Sequence, residues 1–308
     1  MRNEFLDELV ALAEADERVM LLTGDLGFMV LEEFQQRFPD RFVNCGVAEQ
    51  NMVGVATGLA EAGFVPFVYS IATFSTLRPY EFIRNGPALH DLPVRIVGVG
   101  GGFDYGHNGI THFALEDYAA MRAQPAITTV APADAGQARA ALRATAALPR
   151  PIYFRIGKGG GELPGLDGRF ELGRLELLRE GDDAAILAIG SIAREALAAA
   201  ELLAERGVEA AVGLVSSFNP GPAEDIAELL AERPLALTVE AHYRDGGLGS
   251  LVAETIAERG LGCRLLRAGV AEMPRGETGS QAFLEERHGL SAPQLVQRLE
   301  QALSAARA

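Results

Sequence analysis

Short apolar runs alternate with helix-patterned segments along most of this chain, and that alternation constrains the fold more than any other feature. Val19–Thr23, 65–70 and 94–99 are rich in apolar residues. Parallel strands that are buried on both faces have this character. Residues 5–15 and 134–147 instead space their apolar residues at helical intervals. The pattern predicts an α/β fold built on a doubly wound parallel sheet.

A glycine-rich segment near the middle of the chain, 158–168, divides this pattern in two. It contains three consecutive glycines and a proline, as linkers often do. Beyond it, strands and helices alternate again from residue 184 to a last helix near 291–305. A length of 308 residues suits two domains of about 150 residues each. We therefore expect one domain over 1–165 and a smaller α/β domain over 180–308.

Charge and cysteine content exclude several classes of protein. The net charge is −15, and no basic stripe is interleaved with aromatic residues, which argues against nucleic acid as a partner. Cys45 and Cys263 are far apart and lack the spacing of a metal site or a disulfide framework. No apolar run approaches the ~20 residues of a membrane span, and the first residues run into an amphipathic helix. A cytoplasmic location is expected.

Residues 43–54 read as a strand, a tight turn at Gly46 and a helix of small apolar residues. Glu49 is the one carboxylate at the start of that helix. It can be an ordinary acidic residue in a first turn, favoured by the helix dipole. It can also be a carboxyl kept in an apolar pocket to share a proton with a bound ring. The local sequence leaves both interpretations open.

Four motifs carry a resemblance to a known family. They are GVAEQNM (46–52), ATF (72–74), GITH (109–112) and GGLGS (246–250). In order and spacing they resemble transketolase-type thiamine-diphosphate enzymes, over essentially the whole chain. The resemblance implies a doubly wound pyrimidine-binding domain followed by a smaller α/β transketolase C-terminal domain.

The resemblance also implies that half of the cofactor site lies elsewhere. Such enzymes hold the diphosphate through Mg²⁺ on a Gly-Asp-Gly…Asn motif in a further domain. Here Leu26 follows Gly24-Asp25, and Asp183 follows Gly181-Asp182, so the motif is absent. We therefore expect thiamine diphosphate to be shared with a separate N-terminal transketolase subunit that holds the Mg²⁺. The active unit would be a heterotetramer, a dimer of such pairs.

The resemblance assigns roles in cofactor binding to four residues. Glu49 matches the carboxyl that bonds the aminopyrimidine ring, Phe74 and Tyr80 match aromatic residues that pack on it, and Asp25 matches an aspartate beside the thiazolium. Leu77 stands where the family often has another aromatic residue. Phe74 and Tyr80 could equally be core residues, and Asp25 a turn residue.

Four further residues are candidates for substrate binding. His112 matches a histidine that bonds the donor's reacting hydroxyl or carbonyl and shuttles its proton, although a loop histidine remains the alternative. Arg155 resembles the arginine that clamps an acceptor phosphate, but an arginine at a strand end can also form a surface ion pair. Arg78 could assist it. Asn108 replaces a family aspartate that reads the donor's stereochemistry. The substitution favours a specialised pathway with an unusual acceptor.

The predicted function is transfer of a two-carbon ketol unit from a ketose donor to an aldehyde-type acceptor through a thiamine-diphosphate carbanion. One alternative is the beta subunit of a 2-oxo acid dehydrogenase, which has the same half-site but passes its acyl group to a lipoyl domain. Another is a non-catalytic interaction subunit that has kept the fold. A condensation like that of deoxyxylulose-phosphate synthase is a further neighbour.

Overall fold

A computed structural model describes residues 1–159 and 161–307 of the chain. Within these residues the strands are Val19–Thr23 (β1), Phe42–Asn44 (β2), Val65–Ile71 (β3), Arg95–Val99 (β4), Thr128–Val130 (β5), Ile152–Ile156 (β6), Leu175–Arg179 (β7), Ala184–Ile189 (β8), Ala210–Val215 (β9), Ser217–Phe218 (β10), Leu235–Tyr243 (β11) and Arg264–Val270 (β12). The helices are Arg2–Ala15 (α1), Glu32–Arg37 (α2), Glu49–Glu61 (α3), Ala72–Thr76 (α4), Tyr80–Ile83 (α5), Asp117–Arg122 (α6), Ala135–Thr145 (α7), Ala193–Ala204 (α8), Ala223–Leu230 (α9), Leu248–Arg259 (α10), Gln281–Arg287 (α11) and Ala292–Arg307 (α12).

The described strands form two sheets, which confirms the predicted α/β fold. The first has seven strands in the order β10-β5-β6-β4-β3-β1-β2, and the second has five in the order β12-β11-β8-β9-β7. Pairing is parallel except at two edges, where β10 runs antiparallel to β5 and β7 antiparallel to β9. The non-sequential strand order is that of a doubly wound sheet, with helices covering both faces.

The strand β10 is the point where the two sheets meet in the chain. It comes from the second half of the sequence, directly after β9, yet it pairs with β5 of the first sheet. The two halves of the chain are therefore joined by backbone hydrogen bonds as well as by the predicted linker 158–168. That linker falls between β6 and β7, and its Gly160 lies outside the described residues.

Most predicted elements coincide with observed ones, and the differences have local causes. The sequence pattern predicts one helix around residues 80–90. The structure divides it into α5 and a wider π-helical turn, Arg84–Ala88, because Pro87 cannot donate the hydrogen bond that a regular helix requires. Three elements were not predicted. They are β7, an edge strand that is mostly half-buried, β10, which is two residues long, and α11.

The neighbouring strands β3, β1 and β2 of the first sheet bring their carboxyl ends together at one edge. β1 leads to Gly24 and Asp25, β2 to Gly46, and β3 to α4. Ligands of open α/β sheets bind at such an edge. Among the described helices, none has the length and apolar character needed to cross a membrane.

Candidate active site

Glu49 is the first residue of α3, at the carboxyl edge of the first sheet. Its side chain is only 3% exposed, although it is a carboxylate. Ser70 Oγ, at the end of the neighbouring β3, donates a hydrogen bond of 3.4 Å to Glu49 Oε1. A first-turn carboxylate is stabilised by the helix dipole, but it seldom is this buried without a partner. Glu49 has such a partner in Arg78.

Arg78 lies directly in front of this carboxylate. Its Nη1 donates to both oxygens of Glu49, at 2.8 and 2.9 Å. The guanidinium also lies over the ring of Phe74, with Cζ 3.7 Å from the ring centroid. A carboxylate, an aromatic face and a guanidinium thus form one layered cluster, which we call the Glu49 cluster (Glu49, Phe74 and Arg78).

His112 lies next to the Glu49 cluster, in contact with Phe74. Its ring packs edge-on against Phe74, with centroids 5.1 Å apart, and its Nδ1 is 2.9 Å from the hydroxyl of Thr111. Partial burial, together with the nearby charge of Arg78, lowers the pKa of His112 below its ordinary value. The lowered pKa favours the neutral imidazole, which can both donate and accept a proton.

Asp25 lies on the adjacent loop after β1, exposed and with a positive φ of 59°. Asn44, at the end of β2, donates from Nδ2 to Asp25 Oδ1 at 2.9 Å and accepts from the backbone N–H of Gly46. These contacts tie the two strand ends together beside the start of α3. They hold Asp25 at the rim of the same edge, as a turn residue with an available carboxylate oxygen.

Two other predicted site residues make different contacts. The hydroxyl of Tyr80 donates to the backbone carbonyl of Ala120 at 3.1 Å and accepts from Gln124 at 2.7 Å, so it points toward the end of α6. The ring is partly buried against the core beneath α3. Asn108 is exposed in the 3₁₀ turn Gly106–Asn108, within the glycine-rich loop (residues 100–109) that follows β4. Neither takes part in the Glu49 cluster.

Arg155 lies inside the protein, where the two halves of the chain meet. Its Nε is 3.3 Å from Asp117 Oδ2, and its Nη2 donates to the backbone carbonyls of Ala114 and Ala241, at 3.1 and 2.8 Å. The side chain is 7% exposed. An arginine whose donors are committed to internal partners has few left for a phosphate, so this geometry favours a structural role over the predicted phosphate clamp.

Three glycines at the start of the glycine-rich loop, residues 100–102, lie at the same junction. A Cβ on Gly101 would lie 1.7 Å from Arg155 Nε, and one on Gly102 would lie 2.8 Å from the Cβ of Ala241. Gly102 also has a positive φ of 60°. The run is glycine because the guanidinium and a strand of the second sheet pass directly over it.

Tyr105 and Lys158 were not predicted from the sequence, and they extend the rim beyond His112. The ring centroids of Tyr105 and His112 are 6.2 Å apart. Lys158 Nζ lies 4.1 Å from the centroid of Tyr105, and Lys158 is exposed. Tyr105 belongs to the glycine-rich loop 100–109, whereas Lys158 lies in the predicted linker and carries no motif. Lys158 thus supplies an exposed cation on the His112 side of the site.

These residues fit one half of the cofactor implied by the motifs. A buried carboxylate beside an aromatic face suits a flat heterocyclic ring that presents N–H groups, such as an aminopyrimidine. The described residues contain no group of three or more His, Cys, Asp or Glu side chains that could hold a metal ion.

Each half of the chain matches a known family model. The family model for "Transketolase, pyrimidine binding domain" matches residues 1–161, and that for "Transketolase, C-terminal domain" matches residues 173–295.

Relatives resemble the chain along nearly all of its length. One of the subunits of the apulose-4-phosphate transketolase of Phocaeicola vulgatus is 36% identical over 270 residues, which cover 86% of each chain. The 6-deoxy-6-sulfo-D-fructose transketolase subunit of a Clostridium species is 36% identical over 298 residues, which cover 96% of this chain and 92% of that subunit. A solved structure described as a split gene transketolase, inactive beta4 tetramer, has a TM-score of 0.87 and 35% identity, covering 98% of this chain and 97% of that one.

Proposed function

The chain belongs to the transketolase family, and we propose that it works as the C-terminal subunit of a split, thiamine-diphosphate-dependent transketolase. It would transfer a two-carbon ketol unit from a ketose donor to an aldehyde-type acceptor. The observation that carries this proposal is the buried carboxylate of Glu49, 3% exposed at the carboxyl edge of the first sheet and next to the face of Phe74. When bound, thiamine diphosphate supplies the nucleophilic carbon that takes up the ketol unit.

Glu49 would bind the aminopyrimidine ring through a proton on the ring nitrogen. A carboxyl in a water-poor pocket is suited to sharing such a proton, because its few partners are fixed in place. Ser70 Oγ, at 3.4 Å, orients one of its oxygens. Phe74 would provide the flat face on which the ring packs, and Asp25 would stand beside the other ring of the cofactor.

His112 would act on the substrate side of the site. Its neutral imidazole packs against Phe74, so it stands next to the proposed ring position. From there it could take the proton of the donor's reacting hydroxyl and return it to the product. Thr111, 2.9 Å from Nδ1, would fix the orientation of the imidazole.

A partner subunit would cover this edge of the sheet and hold the diphosphate through Mg²⁺. Large apolar side chains follow each of the four strand ends that surround the site, and exposed apolar patches of this kind mark protein interfaces. They are Phe28 (76% exposed) and Met29 (92%) after β1, Val47 (72%) after β2, Leu77 (43%) after β3 and Ile110 (37%) after β4. The sequence lacks the Gly-Asp-Gly motif that would hold the metal, and this absence supports the proposal that the partner subunit holds the Mg²⁺. We propose a heterotetramer of two such pairs.

The substrate class follows from the relatives and from the rim of the site. The two relatives are named for a sugar phosphate and a sulfo sugar, each bearing an anionic group. Lys158 is an exposed cation on the His112 side of the site. We propose that the donor of this enzyme also carries a phosphate or sulfonate group, which Lys158 would meet.

Replacement of Glu49 by glutamine tests the central assignment. Glu49→Gln keeps the shape of the side chain but removes its shared proton, so kcat should fall by about 100-fold or more in the complex with the partner subunit. Folding and assembly should be unchanged, as judged by circular dichroism and size-exclusion chromatography.

Glu224→Gln is the matched control, since Glu224 is also a first-turn glutamate paired with an arginine, at the start of α9. This variant should retain full activity. Turnover of Glu49→Gln at the wild-type rate would refute the assignment of Glu49, and with it the proposed function.

A further inference from the structure

Arg78 fills the space in front of Glu49, and nothing in substrate binding explains why it should. Its Nη1 bridges the two oxygens of Glu49 at 2.8 and 2.9 Å, and its Cζ is 3.7 Å from the centroid of Phe74. A residue that only reached for substrate would leave both the carboxylate and the aromatic face open.

The guanidinium has the same recognition features as the ring that we assign to this place. It is planar, it carries delocalised positive charge, it donates N–H bonds in its own plane and it stacks on aromatic faces. An aminopyrimidine bound to Glu49 would use the same carboxylate oxygens and the same face of Phe74. The two groups cannot occupy that space together.

We propose that Arg78 occupies the position of the aminopyrimidine ring when the cofactor is absent. It pairs with Glu49 and covers Phe74 until the cofactor displaces it. This inference rests on the proposed function, because it takes Glu49 as the ligand of the ring. It gives the free subunit a way to keep a buried carboxylate paired, since a buried carboxylate that loses its partner is strongly destabilising. It also makes cofactor binding a competition within the protein.

The position of Arg78 allows such a displacement. Its side chain is 42% exposed, and both of its bonds to Glu49 come from a single nitrogen. Arg78 lies outside regular structure, between the short helix α4 and Pro79. The guanidinium can therefore turn into solvent without burying its charge. A protein that must first release an internal competitor binds its ligand with lower apparent affinity.

Calorimetric titration with thiamine diphosphate and Mg²⁺ tests the proposal in the complex with the partner subunit. Arg78→Met removes the charge and the N–H donors but keeps a long side chain. The dissociation constant should fall by about tenfold, because the ring no longer displaces a bound group. The dissociation constant of Arg78→Lys should lie between those of the wild type and Arg78→Met, since an ammonium keeps the charge but cannot present a flat face.

Thermal denaturation provides a second readout that does not depend on activity. Arg78→Met should lower the melting temperature of the complex without cofactor and leave that of the loaded complex nearly unchanged. The stabilisation by the cofactor should therefore grow. Arg18→Met is the matched control, because it removes an exposed arginine that also pairs with a carboxylate, Asp16, at the opposite edge of the sheet. It should leave the dissociation constant unchanged.

The Glu49→Gln background separates this inference from the proposed function. There Arg78→Met should no longer tighten binding, because the charged partner of Arg78 is gone. Tighter binding that persists in this background would contradict the proposal that Arg78 occupies the ring position. Weaker or unchanged binding in Arg78→Met alone would also contradict it. Neither result would affect the proposed function. A wild-type complex that binds no cofactor would overturn both.

Discussion

Two ion pairs of similar composition occupy very different positions in this protein. Arg78 pairs with Glu49 at the open carboxyl edge of the first sheet, and Arg155 pairs with Asp117 at the junction between the two halves of the chain. Each guanidinium also lies over an aromatic ring, 3.7 Å from its centroid in the first pair and 4.1 Å in the second. The arginine is 42% exposed in the first pair and 7% in the second.

The difference lies in how many partners each arginine would lose. Among the described residues, Arg78 bonds to Glu49 alone, through one nitrogen and in contact with solvent. Arg155 also donates to two backbone carbonyls, and its partner Asp117 accepts a further bond of 2.6 Å from Tyr153. Exposed pairs contribute little to stability, whereas breaking a buried one leaves a charge without solvation. The first pair can therefore serve as a replaceable contact, and the second as a structural tie.

Arg155→Met should have the largest effect on stability. It leaves Asp117 buried without its cation and two carbonyls without a donor, so the free energy of unfolding should fall by about 3–5 kcal/mol. Arg78→Met should cost less by the same measurement, urea unfolding followed by circular dichroism: about 1–3 kcal/mol, because it leaves the buried Glu49 without its cation but strips no backbone carbonyl of a donor.

The double variant Arg155→Met/Asp117→Asn keeps this test informative if the single variant does not fold. Because it removes both charges, it should be more stable than the single variant. Equal costs for Arg155→Met and Arg78→Met would remove the distinction between the two pairs.

The pH dependence of unfolding should also report on the junction between the two halves of the chain, through the buried His242. Burial lowers the pKa of His242 to about 4, and His242 accepts a bond from the backbone N–H of Ala119 at 3.3 Å. Between this value and the ordinary 6.5, the unfolded chain binds a proton that the folded protein does not. Folding stability should therefore fall as the pH is lowered, by about 2 kcal/mol from this group between about pH 6.5 and pH 5.

His242→Gln isolates this contribution. Burial raises the pKa of Glu240 to about 7, and this neighbouring carboxyl acts in the opposite direction, since its contribution is present at low pH and lost as the pH rises through 7. Both proteins retain Glu240, so the difference between their unfolding curves reports His242 together with its coupling to Glu240, whose Oε2 is 3.8 Å from His242 Nδ1. A difference that does not change with pH would contradict the assignment.

The smallest expected effect is on the titration of His112. Burial lowers the pKa of His112, and the charge of Arg78 lowers it further. Arg78→Met removes the second cause, so the pKa of His112 should rise, and only slightly, because solvent screens a charge this exposed. Proton NMR measures it, and the signal lost in His112→Asn identifies this residue among the five histidines. A lower pKa in the variant would show that Arg78 does not face the imidazole.

Much of the fold was predictable because it follows from local patterns. The spacing of apolar residues predicts a strand over Val19–Thr23 and a helix over 248–259, and the structure has both with these bounds. The strand β10 was not predictable, because two residues carry no periodicity and are held by pairing with β5. The π-helical turn at Arg84–Ala88 similarly depends on Pro87 and on what packs around it.

The candidate site was predictable in part. Glu49, Phe74 and His112 stand in recognisable motifs, and the structure brings their side chains to one edge of the sheet. Their roles, like those of Asp25 and Asn108, stay predictions. Nothing in the sequence around Arg155 distinguishes an arginine that binds a ligand from one that forms an ion pair inside the protein.

The sequence by itself determined the alternation of strands and helices, the family and the place of its motifs along the chain, because each depends on residues close together in sequence. Only the tertiary structure decided which carboxylate each arginine pairs with and how much water reaches it. Arg78 lies in the turn after α4 and Glu49 begins α3, so the two are far apart in sequence, and Arg155 meets Ala241 of the other sheet. Burial and hydrogen-bond partners of a charge are properties of the assembled fold, and they decide whether that charge can be displaced.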